Sequence, residues 1–173
     1  MADFRKIAVL GAGAWGTALA ASFARAGHDV RLWGRDGAVV RDINLEHENR
    51  AYLPGAALPE SLMATSDAGS ALQGAEIVLF AAPAQTTRSL ATLIKPILPD
   101  GIALVACAKG IEQGTGELQS ETLSEILPDH PVGALSGPSF AADVVRGLPT
   151  AVVLGMDELP KARHVAEALS SGH

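Results

Sequence analysis

The hexapeptide Gly11-Ala12-Gly13-Ala14-Trp15-Gly16 stands directly after a short apolar run, Ile7-Ala8-Val9-Leu10, and directly before a helical pattern. The run lies between Lys6 and Gly11 and reads as a buried parallel strand. Helical periodicity extends from Trp15 to Ala26, and Gly27 supplies a C-terminal stop. Three glycines spaced G-x-G-x-x-G at such a junction constrain the chain closely. Gly11 permits the tight turn out of the strand, Gly13 offers no side chain to block a pyrophosphate, and Gly16 lets the helix lie close to the strand. The first N–H groups of the helix and the positive end of its dipole then face an anion. A glycine string alone is weak evidence, because a tight turn needs no ligand. The position after a strand and at the opening of a helix is the context that dinucleotide binding demands.

The rest of the chain repeats the alternation. Strands are expected at Asp29–Trp33, Leu62–Thr65, Ile77–Ala82, Ile102–Ala106, Val132–Leu135 and Ala151–Leu154. Helices are expected from an Asp36 cap to about Glu46, from Ser66-Asp67 to near Gly74, and over Gln85–Leu98 and Glu117–Leu127. Two more are expected from near Ser139 toward Arg146 and over Glu158–Leu169. Asn49 to Gly55, rich in turn formers, reads as a loop. Strands alternating with helices predict an α/β fold, a doubly wound, mostly parallel sheet of the Rossmann type. At 173 residues this is a single dinucleotide-binding domain over 1–173.

Composition excludes several functions. Hydrophobic residues make up 48% and charged residues 18%, enough apolar material for a packed core. The net charge of -6 argues against a nucleic-acid partner, which requires a basic face. No stretch approaches the ~20 apolar residues of a membrane span, and the lead-in Met1 to Lys6 lacks the length of a signal sequence. Cys107 is the single cysteine, so no intrachain disulfide can form, and a reducing cytoplasm is the expected location. His28, His47, His130, His164 and His173 do not pair at metal-ligand spacing, so no metal is expected. No G-x-S-x-G nucleophile turn surrounds Ser136 or Ser139.

The end of the second strand bears on the choice of dinucleotide. Sites for NAD place Asp or Glu there to hold the ribose hydroxyls, whereas this chain has Gly34-Arg35. A guanidinium suits a 2′-phosphate, so NADP is favoured over NAD. Asp36 can pair with Arg35 or cap the next helix, and a solvated surface arginine is the other reading of Arg35.

Five segments together resemble the NAD(P)-dependent glycerol-3-phosphate dehydrogenase family of bacterial type, in its N-terminal domain. They are Gly11 to Ala20 with a tryptophan inside the glycine turn, Asn49 with Tyr52-Leu53-Pro54-Gly55 and Leu58-Pro59, and Ala81-Ala82-Pro83-Ala84-Gln85. Ala108-Lys109-Gly110-Ile111-Glu112 and Leu135-Ser136-Gly137-Pro138-Ser139-Phe140-Ala141 complete the set, in the family's order. The resemblance implies reversible hydride transfer between NAD(P)H and dihydroxyacetone phosphate, giving sn-glycerol 3-phosphate for phospholipid synthesis. It further implies that Ala14, Trp15, Arg35, Tyr52, Lys109 and Ala141 touch the cofactor beside the three glycines. Lys109, Gly137 and Ser139 would touch the glycerol phosphate.

The residues agree in part. Lys109 follows the fifth strand and Gly137-Pro138-Ser139 the sixth, both at the carboxyl edge where such sheets bind ligands. Without those motifs, a surface lysine and an N-capping serine would be the plainer readings. The family's second, helical domain carries the proton-donating lysine, and no such segment occurs here. The expectation is therefore a fragment with no catalytic residue of its own, from a protein about twice as long at ~100–200 residues per domain. A non-catalytic module that senses or merely binds a dinucleotide is the alternative. A homodimer is one assembly open to the full-length protein.

Overall fold

A computed structural model describes residues 5–170. The lead-in at 1–4 and the polar end at 171–173, with His173, lie outside the described residues. The chain opens with β1 (Lys6–Leu10), α1 (Ala14–Arg25), β2 (Asp29–Trp33) and α2 (Gly37–Glu46). A small hairpin follows, β3 (Glu48–Asn49) with β4 (Leu53–Ala57), and then β5 (Met63–Thr65) and α3 (Ala68–Leu72). The second half comprises β6 (Ile77–Phe80), α4 (Thr87–Ile94), β7 (Ala103–Ala106) and α5 (Gln119–Ile126). It closes with β8 (Val132–Ser136), α6 (Ala141–Val144), β9 (Val153–Met156) and α7 (Leu159–Leu169).

Seven strands form one sheet in the order β5-β2-β1-β6-β7-β8-β9. All neighbours are parallel except β8 and β9. The chain winds outward from β1 through β2 to β5, then returns to the other side of β1 as β6. That reversal opens a crevice at the carboxyl ends of β1 and β6, where ligands of doubly wound sheets bind.

Both faces of the sheet are covered, so its central strands are apolar throughout. In β1, Ile7 and Val9 face one cluster, with Leu19 and Phe23 of α1 and Ile43 of α2. Ala8 and Leu10 face the other, with Leu72 of α3, Leu90 and Ile94 of α4 and Leu123 of α5. Ala18, Ala20, Ala21 and Ala24 of α1 are buried, and these short side chains let the helix approach the sheet. Each fully buried leucine or isoleucine here contributes about 1.5–3 kcal/mol of transfer free energy.

Several sequence expectations need correction. Asn49 to Gly55 is not a plain loop but contains the tip of the β3–β4 hairpin, with Asn49 paired to Leu53. The helix expected over Gln85–Leu98 is shorter. It begins as a 3-10 turn at Ala84–Thr86 and gives way to another at Lys95–Ile97, where Pro96 cannot continue the α-helical ladder. The helix expected from Ser139 to Arg146 is only α6, four residues long. At ~1.5 Å per residue it spans about 6 Å, too short to return the chain along β8. The next strand therefore runs back antiparallel, and it starts two residues later than expected.

Candidate active site

At the carboxyl edge, a cleft of about 560 Å³ runs from the glycine turn across the ends of β1, β2, β6 and β7 to the start of α6. Its floor is backbone. Gly11 takes φ +124°, and a Cβ there would stand 2.5 Å from the Ala82 nitrogen. The Gly11 N–H donates to Trp33 O, and Ala81 N–H donates to Leu10 O, so the turn is tied to both flanking strands. A Cβ on Gly16 would lie 1.9 Å from the Gly11 carbonyl oxygen, which makes Gly16 a packing spacer beneath the cleft rather than part of its wall. At Gly13 a Cβ would meet nothing within 4 Å. The space above the turn is open.

The start of α1 differs from the helices beside it. Asp36 caps α2 by accepting from Ala38 N at 2.8 Å, and the Asp67 side chain accepts from Ser70 N at α3. No side chain caps α1, and its first turn carries no acidic residue. Its leading N–H groups have no intrahelical acceptors, so they are available to an anion in the cleft. These features fit the pyrophosphate of a dinucleotide.

Asn49 fastens the outer wall. It is wholly buried, and its Nδ2 donates to Ala12 O at 3.0 Å and to Thr17 Oγ1 at 2.8 Å. Its Oδ1 accepts from Tyr52 N at 3.2 Å. The hairpin carrying Tyr52 is thereby locked to the glycine turn, with the Tyr52 ring half exposed at the cleft. Asn49 belongs to a sequence motif that by itself assigns it no role. A lone amide beside turn formers does not reveal that it will bridge to residues 32 and 37 positions away.

At the opposite end, Lys109 Nζ donates to Gly137 O at 3.2 Å. That bond joins two of the residues singled out from sequence. Gly137 lies behind the cleft wall, against Ala151 and Val152. The Ser139 Oγ is shielded from solvent and has no hydrogen-bond partner, while the residue itself borders the cleft. Phe140, 74% exposed, also borders the cleft and was not anticipated, although it stands inside the motif. Cys107 lies in the floor; burial pushes its thiol well above the usual range, which leaves it protonated and unsuited to nucleophilic work.

The cleft thus gathers Gly11, Gly13, Ala14, Trp15, Arg35, Tyr52, Lys109, Ser139 and Ala141, and leaves Gly16 and Gly137 just outside. Arg35 is exposed and forms no ion pair or hydrogen bond among the described residues. No group of three or more His, Cys, Asp or Glu side chains converges as a metal site among the described residues. None of the helices there is long and apolar enough to cross a membrane.

Residues 6–162 match the sequence profile of the NAD-dependent glycerol-3-phosphate dehydrogenase N-terminus. The chain belongs to this family. It is 52% identical over 165 residues to a glycerol-3-phosphate dehydrogenase [NAD(P)+] of Chelativorans sp., covering 95% of this chain and 50% of that protein. A protein of the same name from Mesorhizobium japonicum is 52% identical over 166 residues, covering 96% and 48%. The crystal structure of glycerol-3-phosphate dehydrogenase from Coxiella burnetii superposes with a TM-score of 0.89 at 35% identity, over 96% of this chain and 51% of that one. The Plasmodium falciparum enzyme gives 0.88 at 28% identity, over 96% and 50%. The chain spans about half the length of the curated relatives it matches. The family's dinucleotide-binding motif therefore sits on the fold expected for it.

Proposed function

We propose that this chain is the cofactor-binding half of a glycerol-3-phosphate dehydrogenase, which exchanges a hydride between NAD(P)H and dihydroxyacetone phosphate to give sn-glycerol 3-phosphate. The observation that carries the reading is the cleft itself, with an uncapped helix start at one end and the Lys109 ammonium at the other. The bound nicotinamide would supply the hydride. The N–H groups at Gly13, Ala14 and Trp15 would hold the pyrophosphate, with Gly11 and Gly16 keeping the turn tight. Arg35 would take the 2′-phosphate of NADP, the favoured cofactor over NAD. Tyr52, Ala141 and the Lys109 ammonium would border the nucleotide. Lys109, seated on the Gly137 carbonyl, and the Ser139 hydroxyl would hold the oxygens of the triose phosphate, Ser139 through a hydroxyl that has no internal partner.

Reduction of a ketone also needs a proton source. The other lysines are poor candidates. Lys6 lies near Asp29, Lys161 pairs with Glu158 at 2.8 Å, and Lys95 lies in the turn after α4. Residues 1–173 alone should therefore bind NADPH yet reduce dihydroxyacetone phosphate only at a trace rate. Calorimetric titration with NADPH tests the first statement, and loss of nicotinamide absorbance tests the second. Absence of NADPH binding by folded chain would overturn the reading. Robust turnover would place the proton donor within residues 1–173. The relatives' names favour a dehydrogenase over a sensing module, and a buried lone thiol accords with cytoplasmic residence.

A further inference from the structure

Lys109 owes its place to a segment that is held from outside the cleft. Strand β7 ends as Cys107 N–H donates to Phe80 O. Three residues later Gly110, at φ +119°, turns the chain away from the sheet. The segment just beyond is clamped along its backbone. Gln85 uses both ends of its amide, donating from Nε2 to Ile111 O at 2.8 Å and accepting at Oε1 from Gln113 N at 2.9 Å. The Gln119 amide reaches Gly110 O at 3.4 Å.

The side chain of Glu112, between those anchors, is gripped by Arg88 from the first turn of α4. Arg88 Nε and Nη2 each donate to one oxygen of Glu112 at 2.8 Å, forming a two-pronged pair. The same Nη2 reaches Glu117 at 3.1 Å and Glu125 at 2.8 Å. Thr115 Oγ1 donates to Glu112 at 2.7 Å, and the Glu112 side chain is only 12% exposed. These contacts hold the Glu112 carboxyl below its ordinary range, chiefly through the Arg88 hydrogen bonds. Arg88 itself does not border the cleft.

Three carboxylates, from the turn after Lys109, from the approach to α5 and from α5 itself, meet on one guanidinium. An ordinary exposed ion pair contributes little, but a two-pronged arginine pair inside a network fixes direction as well as distance. Removing the cation would leave three like charges facing one another at the base of the Lys109 segment.

We infer that Arg88 is a positioning residue for the cleft: acting through Glu112, it sets where the Lys109 ammonium stands. The inference rests on the reading of Lys109 as a ligand-binding group. A double-mutant cycle on the 173-residue chain, with NADPH affinity as the readout, tests it. Lys109→Met should weaken binding. Arg88→Gln should weaken it by about threefold to tenfold, and the double variant should be no weaker than Lys109→Met alone, since linked residues are not additive. Amide hydrogen exchange at residues 111–113 should quicken in Arg88→Gln while β6 and β7 keep their protection. If Arg88→Gln fails to fold, Glu112→Gln replaces it in the cycle and should behave the same way. Additive losses, or unchanged affinity in a folded Arg88 variant where Lys109→Met does bind less well, would overturn the inference and leave the role of Lys109 standing. Unchanged affinity in Lys109→Met would remove that role, and the inference with it.

Discussion

The two ends of the cleft are built from different materials. The glycine end is backbone: Gly11 and Gly16 sit so close to their neighbours that a single added carbon would collide, and Gly13 faces open space. The lysine end is side chains on loops, with Lys109 leaning on a carbonyl, Ser139 unpartnered and Phe140 largely exposed. The glycine end is closed by backbone packed on backbone, Gly16 against Gly11 and Gly11 against Ala82, with no side chain needed to complete it. Side chains on loops take their positions from contacts far away in sequence. The first end should therefore be rigid and intolerant of change, and the second adjustable.

The severest break of that contrast is Gly16→Val. Its Cβ would start 1.9 Å from the Gly11 oxygen, a backbone atom that cannot swing aside. Overpacking of this kind should cost at least ~3 kcal/mol, visible as a large fall in the urea midpoint. A variant of near wild-type stability would show that the turn is softer than its geometry states. Next comes Gly13→Val. Here a Cβ meets no protein atom within 4 Å, so stability should change by no more than about 1 kcal/mol. NADPH affinity should nonetheless fall by about a hundredfold, since the valine would occupy the pyrophosphate's place. Calorimetry on folded variant decides it, and unchanged affinity would place the phosphates elsewhere.

Asn49→Ala tests the joint between the turn and its outer wall. It leaves Ala12 O and Thr17 Oγ1 without their amide partner in a buried setting, while Tyr52 N keeps the Asn49 backbone carbonyl. The expected loss is about 2 kcal/mol, read by denaturant unfolding, because stranded buried polar groups cost more than a surface bond contributes. A loss near zero would mean that the hairpin is held by its apolar contacts, such as buried Leu53 and Leu58, rather than by the amide.

The same contrast explains what the sequence disclosed. The strand–turn–helix, the Asp36 cap and the alternation of β1, β2, β6 and β7 are local patterns, and the structure follows them. Gly27 indeed takes a positive φ of 93° just past α1. The β3–β4 hairpin was hidden because its turn formers read equally well as a loop. The brevity of α6 was hidden because helical periodicity through Arg146 says nothing of Gly147, at φ 74°, or of the turn that Ser139 N makes with Gly137 O. The Gln85 and Arg88 grips on residues 111–113 join residues 24 to 28 positions apart, a separation at which no local period operates.

The mildest effect expected is at Arg35, where the glycine end of the cleft meets the end of β2. Asp36 beside it is engaged: its carboxylate accepts from Ala38 N as the cap of α2, which satisfies one of the helix's free N–H groups. No ion pair joins it to Arg35 among the described residues, so the guanidinium is available to a phosphate at the end of β2. A 2′-phosphate there would gain a charge-assisted bond that a 2′-hydroxyl gains only weakly. Arg35 is exposed, however, and solvent and salt screen such a contact. Arg35→Ala should therefore weaken NADPH by roughly 1 kcal/mol, about fivefold, and NADH far less. The NADPH loss should shrink as ionic strength rises, because the Debye length falls toward the contact distance. Paired titrations with the two dinucleotides at low and high salt separate the cases. Equal losses for both would mean that Arg35 lies along the adenosine as a flat surface and does not read the phosphate. A loss confined to NADPH but indifferent to salt would place the guanidinium in a drier contact, closed over by the bound nucleotide.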